Sequence, residues 1–323
     1  MSHSLYSFSH SFFSVLSALL CNFYYGTLEK ELVEEAGFEM DYRIPASPHL
    51  LLRMTDDFLL ITTEKMVSTR FMRKMHDGRP ELGVRINGSK SRTSYTFDSF
   101  GNGSIRDIKS LVRRGEQTFF PFAGFLLNTK NCAVQIDYSR FHGDKALNNL
   151  TIGIGPREGN QFSWRMKTFV KPRCKPILFD SRLNSHDEIK VNFYHLIAYS
   201  AIKLKHYANG MPGGDMQNKR FLAYSCIELI KYSIQLITSN LRNVQSQAKS
   251  KHYVLSTSWL KKRDAMWLGV HAMKNILSEN DNFNAVVKIM THLNKEGISP
   301  SDKSIQIVAK KALSLFELQK FKK

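Results

Sequence analysis

The chain has 323 residues, enough for two ordinary domains, and carries 46 Lys and Arg against 28 Asp and Glu, a formal net charge of +18. That surplus says nothing about fold but points to a polyanionic partner, and its spread along the chain suits a broad groove for a phosphate backbone better than a basic tail. The four cysteines, Cys21, Cys132, Cys174 and Cys226, lie far apart and form no CxxC, which argues against a zinc ribbon or a disulfide scaffold and fits a reducing compartment.

In chain order, Leu5 to Tyr25 is apolar and Ser-rich, but it lacks a basic leading region and its pattern runs on past Gly26, so a secretory signal is not expected. No uninterrupted apolar stretch is long enough to span a membrane. Ser14 to Glu35 reads as a helix whose stripe of Val15, Leu16, Leu19, Leu20, Phe23 and Leu28 suits a core. Leu50 to Thr62 reads LLLRMTDDFLLIT: two short apolar runs flank Asp56 and Asp57, the pattern of two buried strands joined by a tight turn. Most Asp-Asp pairs are solvated turns, but these flanks do not suit a solvated loop. Carboxylates held at the neck of such a hairpin need a cation. Magnesium, which takes one or two carboxylates together with substrate phosphates, is the usual one, and polymerases hold part of a two-metal centre on such a turn.

Glu64 to His76 follows as an amphipathic helix with Met66, Phe71, Met72 and Met75 toward a sheet. Gly83 to Asn87 then reads as a strand and Ser94 to Phe97 as its partner. Lys90 lies in the glycine turn between them, and from spacing alone it is a solvated lysine. Phe100 to Gly115 reads as a loop, Phe119 to Leu127 as paired strands punctuated by Pro121 and Gly124, and Val134 to Tyr138 as the strand that closes the sheet. From Phe141 the texture changes: Gly143 to Gly159 is mixed, and helical periods then dominate at Glu188–Tyr207, Gln217–Asn240, Ser258–Leu277, Phe283–Leu293 and Ser301–Phe321, with Ser258, Asn282 and Ser301 as N-caps.

Leu52-Arg53-Met54-Thr55-Asp56-Asp57-Phe58-Leu59-Leu60-Ile61-Thr62 resembles motif C of the telomerase reverse transcriptases, with Met54 where retroelement enzymes carry Tyr or Phe. Ser14 to Cys21 is similar to the end of the family's motif B′, although Phe12 and Phe13 replace its Gln-Gly. Asn87 to Thr93 resembles motif D, and Phe119 to Leu127 resembles the motif E primer grip. Lys171-Pro172-Arg173-Cys174-Lys175, with Leu178-Phe179 and Leu183-Asn184-Ser185, resembles a segment of the thumb.

The resemblance implies an α+β fold: residues 1–13 as an atypical start, 14–139 as the C-terminal half of a reverse-transcriptase palm (antiparallel sheet with helices), and 140–323 as an all-helical thumb. It implies RNA-directed DNA synthesis at chromosome 3′ ends, with Asp56 and Asp57 as metal ligands for Mg2+ in a two-metal site. Lys90 is then placed at the leaving pyrophosphate, Phe122, Ala123 and Gly124 at the primer, and Lys171, Arg173 and Lys175 on the nucleic-acid backbone. The implied partners are the telomerase RNA template, a telomeric single-stranded DNA primer or RNA–DNA hybrid, and deoxynucleoside triphosphates, in the nucleus. A further carboxylate ligand belongs to the family's motif A, so the chain alone is expected to be inactive. A hybrid-binding module without catalysis and a retroelement reverse transcriptase are the competing readings.

Overall fold

The computed structural model describes residues 3–37, 48–80, 83–95, 111–114, 116–138, 158–210, 218–247, 259–294 and 299–320. It combines antiparallel sheets with helices, the α+β class expected. The chain divides into two compact units, residues 1–113 with 118–123, and residues 114–117 with 124–323.

In the first unit, α1 (His3–Ala36) and α2 (Lys65–Asp77) pack on the hairpin of β1 (His49–Met54) and β2 (Asp57–Thr62). The register pairs Leu50 with Ile61, Leu52 with Leu59 and Met54 with Asp57, which leaves Thr55 and Asp56 as a two-residue loop. Paired residues share a face. Leu51, Phe58 and Leu60 turn inward onto Leu28, Leu32 and Val33 of α1 and Val67, Phe71 and Met75 of α2. The strands are therefore half-buried rather than fully buried, for Leu50, Leu52, Met54 and Ile61 are exposed on the other face.

Two expected stripes shift as well. On α1 the buried positions lie toward the C-terminal end, whereas Leu16, Leu19, Leu20 and Phe23 face solvent, Phe23 at 76 % exposure. On α2 the inward row is Val67, Phe71 and Met75 at i, i+4 spacing, and Met66 is exposed. The expected strand at Gly83–Asn87 reduces to one bridge, Arg79 to Val84, because Gly83 takes a positive φ of 69° and Asn87 spends its side chain capping the following turn. Its expected partner at Ser94–Phe97 is a bend at Ser94 and Tyr95 and otherwise lies outside the described residues.

β3 (Val112–Arg114), β4 (Gln117–Phe122), β5 (Phe125–Asn128) and β6 (Val134–Ile136) follow in chain order in a second sheet. The helices of the second unit are α3 (Glu158–Val170), α4 (His186–Gly210), α5 (Lys219–Gln247), α6 (Lys262–Leu277), α7 (Asn284–Leu293) and α8 (Lys303–Lys320). One large core takes in Val134, Ile136 and Tyr138 together with residues from all of these helices. α4 lies at its centre, with Phe193, Tyr194, Leu196, Ile197, Ala198 and Tyr199 all fully buried.

Residue 258 lies outside the described residues, and the other two expected N-caps are displaced. Asn280, not Asn282, accepts the capping bond, and Asp302 takes the place expected of Ser301 by accepting from Ser304 N at 3.0 Å. Ser301 is occupied elsewhere, because its hydroxyl donates to buried Asp264 at 2.6 Å.

Gly269 on α6 shows how tightly this core closes. A Cβ there would lie 2.7 Å from Ile230 Cγ2 and 3.1 Å from its Cγ1. Gly269→Ala gains about 1 kcal/mol of helix propensity, but overpacking costs ~1–3 kcal/mol. We expect a net loss of about 1 kcal/mol in chemical denaturation, recovered when Ile230→Val makes room.

Candidate active site and nucleic-acid interface

The Asp56-Asp57 turn is strained. Thr55 has φ +59°, and for a β-branched residue that region is an outlier costing roughly 1–3 kcal/mol. Arg53 holds the loop in place. Its Nη1 donates to the Thr55 carbonyl at 3.3 Å, its Nε donates to Glu29 of α1 at 3.0 Å, and its guanidinium lies 6.0 Å from the Tyr25 ring centroid. Both carboxylates are exposed, which corrects the expectation of a buried neck. Neither forms an ion pair or hydrogen bond with the described residues, so their oxygens are open to a cation. Burial and then the negative charge of Asp56 raise the Tyr25 hydroxyl above its ordinary value. Among the described residues no group of three or more His, Cys, Asp or Glu forms a metal cluster. The turn thus offers two hard oxygen ligands, a donor set that fits magnesium with the rest of its shell from water, phosphate or further carboxylates.

Lys90 is exposed on a short helical turn, Gly88–Lys90. Asn87 caps that turn by accepting from Ser89 N at 3.1 Å, and a contact of 3.0 Å between Ser91 Oγ and His76 Nε2 fastens it to the end of α2. Sequence reasoning identified the lysine but missed this tether.

At the expected primer grip, Ala123 has φ +50° and Gly124 φ +83°. Positive φ at both central positions is what a type I′ hairpin turn requires, and only the glycine adopts it freely. The Gly124 carbonyl accepts from Asp137 N at 2.9 Å. The turn backbone is therefore fixed, while Phe122 and Ala123 remain half-buried.

The basic thumb segment separates into two kinds of residue. Lys171 and Lys175 are exposed. Arg173 turns inward: its guanidinium lies 3.9 Å from the Phe169 ring centroid, and Nη1 donates to the Phe169 carbonyl at 2.7 Å. Burial lowers its basicity below the ordinary value. Cys174 beside it is fully buried, its thiol pushed up to about 12.

The Asn184-Ser185 pair closing the segment is structural. Asn184 Oδ1 accepts from Val134 N at 2.7 Å, while Asn192 Nδ2 donates to the Val134 carbonyl at 2.8 Å, so one strand residue is clamped on both sides. Ser185 and Glu188 form a reciprocal capping box at the start of α4: Ser185 Oγ accepts from Glu188 N, and Glu188 accepts from Ser185 N at 2.8 Å. The Ser-x-x-Glu spacing is the signal that would have found it.

Residues 161–291 match the family described as telomerase reverse transcriptase, C-terminal extension. A telomerase reverse transcriptase of Arabidopsis thaliana is 25 % identical over 279 residues, 82 % of this chain and 24 % of that protein. One from Oryza sativa subsp. japonica is 26 % identical over 275 residues, covering 82 % and 21 % of the two chains, and one from Oryzias latipes is 29 % identical over 199 residues, covering 62 % and 17 %. The chain spans about a quarter or less of these relatives' length. The chain is thus similar to telomerase reverse transcriptases over most of its length, and residues 161–291 carry the match to their C-terminal extension.

Proposed function

We propose that the chain is the C-terminal part of a telomerase-type RNA-directed DNA polymerase, which adds deoxynucleotides to a DNA 3′ end on an RNA template in the nucleus. The observation that carries this reading is the pair of open carboxylates, Asp56 and Asp57, on a strained turn held by Arg53. Asp56 is the first ligand for magnesium and Asp57 the second, or its support. When bound, the metal supplies charge stabilisation for the attacking and leaving oxygens. Lys90 neutralises the departing pyrophosphate, or gives it a proton. The Ala123-Gly124 turn lets backbone approach the primer strand. Lys171 and Lys175 meet phosphates of the RNA–DNA hybrid, and Arg173 stiffens the segment that presents them.

The surplus of basic residues, a formal net charge of +18, favours a second reading, in which the chain grips hybrid duplex without synthesis. The two readings share one expected result. The chain binds an RNA–DNA hybrid with a log–log salt slope of about −0.9 for each phosphate neutralised, taking duplex DNA as the guide. Lys171→Ala with Lys175→Ala makes the slope shallower by about 1.8 on the same rule. Affinity flat from low to moderate salt would refute the interface. Primer extension by a chimaera bearing a relative's upstream part separates synthesis from grip.

A further inference from the structure

The N-terminal turns of α5 and the C-terminal half of α7 form a groove that no part of the proposed polymerase function uses. Asn218 caps α5 by accepting from Arg220 N at 3.0 Å and Phe221 N at 3.1 Å. That start fixes which way the helix faces: Leu222, Ala223, Cys226 and Ile227 go into the core. Arg220 and Tyr224, one turn apart at i, i+4, stay on the outer shoulder. On α7 the inward residues are Val286, Val287 and Met290, which places Lys288 and His292, also at i, i+4, on the shoulder across from them. Half-buried Ile289 and Leu293 complete the lining, and these six residues enclose about 440 Å³.

The charge in this groove is not neutralised locally. Some other cations of the same unit do have carboxylate partners: Lys190 with Asp187 at 2.8 Å, Lys205 with Glu279 at 3.0 Å, Lys231 with Glu228 at 3.0 Å, and Arg182 with Asp180 at 2.6 Å. The side chains of Arg220, Lys288 and His292 form no ion pair or hydrogen bond with the described residues, and no Asp or Glu is among the lining residues. His292 lies in the last turn of α7. Among these basic side chains Tyr224 is 54 % exposed, an aromatic ring beside the apolar Ile289 and Leu293.

An unpaired cation alone is an ordinary solvated side chain. Three basic groups on two facing helices, with a bare ring between them, are the parts of a stacking platform: a base lies on the ring and its flanking phosphates meet the cations. A duplex does not need the ring, because its bases are already stacked. A phosphopeptide would use the cations but leave the ring without a planar partner.

We propose that the groove of Arg220, Tyr224, Lys288 and His292 binds single-stranded nucleic acid, with an unpaired base stacked on Tyr224 and its phosphates on Arg220 and Lys288. This site is separate from the hybrid interface at Lys171 and Lys175 and does not depend on the carboxylate turn.

Fluorescence anisotropy of the full chain with labelled oligo(dT), oligo(rU) and an RNA–DNA hybrid tests it. Tyr224→Ala weakens single-strand binding about tenfold, the effect of removing one stacked base, and Tyr224→Phe, which keeps the ring, binds like the parent. Arg220→Ala with Lys288→Ala makes the single-strand salt slope shallower by about 1.4, at about 0.7 for each phosphate no longer neutralised. Hybrid binding stays within about twofold of the parent, on the argument that a duplex offers no free base to the ring. All four side chains on the shoulders are exposed, so the thermal melting of these variants stays that of the parent. A Tyr224 dependence in only the ribo or only the deoxy arm supports the groove and names its strand. Equal loss on the hybrid, no loss with Tyr224→Ala, damage by Tyr224→Phe matching that by alanine, or displacement by a phosphoserine peptide as readily as by an oligonucleotide would each overturn the proposal.

Discussion

Asp56→Ala is expected to lower the single-turnover rate of primer extension by about a thousandfold or more in a chimaera that supplies the relatives' upstream part. A catalytic metal contributes several kcal/mol of charge stabilisation, and each 1.36 kcal/mol is about tenfold in rate. The substitution removes an exposed oxygen ligand that forms no ion pair or hydrogen bond with the described residues, so loss of folding does not confound the result. Hybrid affinity is expected to stay unchanged, because the substitution leaves Lys171 and Lys175, the cations of the proposed interface, in place. Asp56→Asn separates charge from volume: it keeps the shape of the side chain and lowers the rate almost as far. Asp57→Ala lowers it less if Asp57 only supports the first ligand, and equally if it binds the metal itself. Retained activity in the Asp56→Ala chimaera would reduce the turn to a strained surface hairpin.

How far the sequence revealed this site follows from the range of the interactions involved. The Asp56-Asp57 hairpin was legible because its signal is local: apolar runs on both sides of two carboxylates in one tight loop. Its burial was not, because alternation along Leu50, Leu51 and Leu52 cannot show that only one face meets a helix. The positive φ of Thr55 left no trace in composition, since nothing marks a threonine as strained. Helix ends were read to within a few residues at α2, α6 and α7, where periodicity runs to the end. The caps were misassigned by one or two residues because Asn280 and Asp302 compete with equally good neighbours. α3 was missed, since its start at Glu158 follows a Gly-rich stretch that masks the onset of the period. Arg173 shows the limit most clearly. Three basic residues in five positions read as one phosphate-binding strip, and only packing against Phe169 and Tyr199 separates the middle one from Lys171 and Lys175.

The chain should lose stability as pH falls from about 6.5 to 4, with His195 as the largest single source. This residue on α4 is almost wholly buried, 1 % exposed, with Tyr138 and Phe316 rings centred 6.3 and 5.6 Å away. Its Nε2 donates to the Ala312 carbonyl at 2.8 Å, which fixes the neutral tautomer with the proton on Nε2. Burial pushes its pKa down to about 4 from 6.5; Arg114 adds to the shift, and the Ala312 hydrogen bond opposes it. The folded value is depressed, so the unfolded chain takes up a proton below about pH 6.5 that the folded chain refuses until about 4. Stability is therefore full above 6.5 and falls through that window, by about 3 kcal/mol at 1.36 kcal/mol per unit. Burial also lowers His206 and His271, so the wild-type profile alone does not isolate one residue. His195→Gln does, because its amide can donate to the same carbonyl but does not titrate. Urea denaturation of both proteins at pH 7.5 and 4.5 measures the difference. We expect the variant to be less stable at the higher pH and to lose roughly 2–3 kcal/mol less on acidification, from the same linkage. Parallel profiles for the two proteins would show that His195 is protonated in the fold or reached by water, and the packing of α4 against α8 would have to be looser than the structure shows.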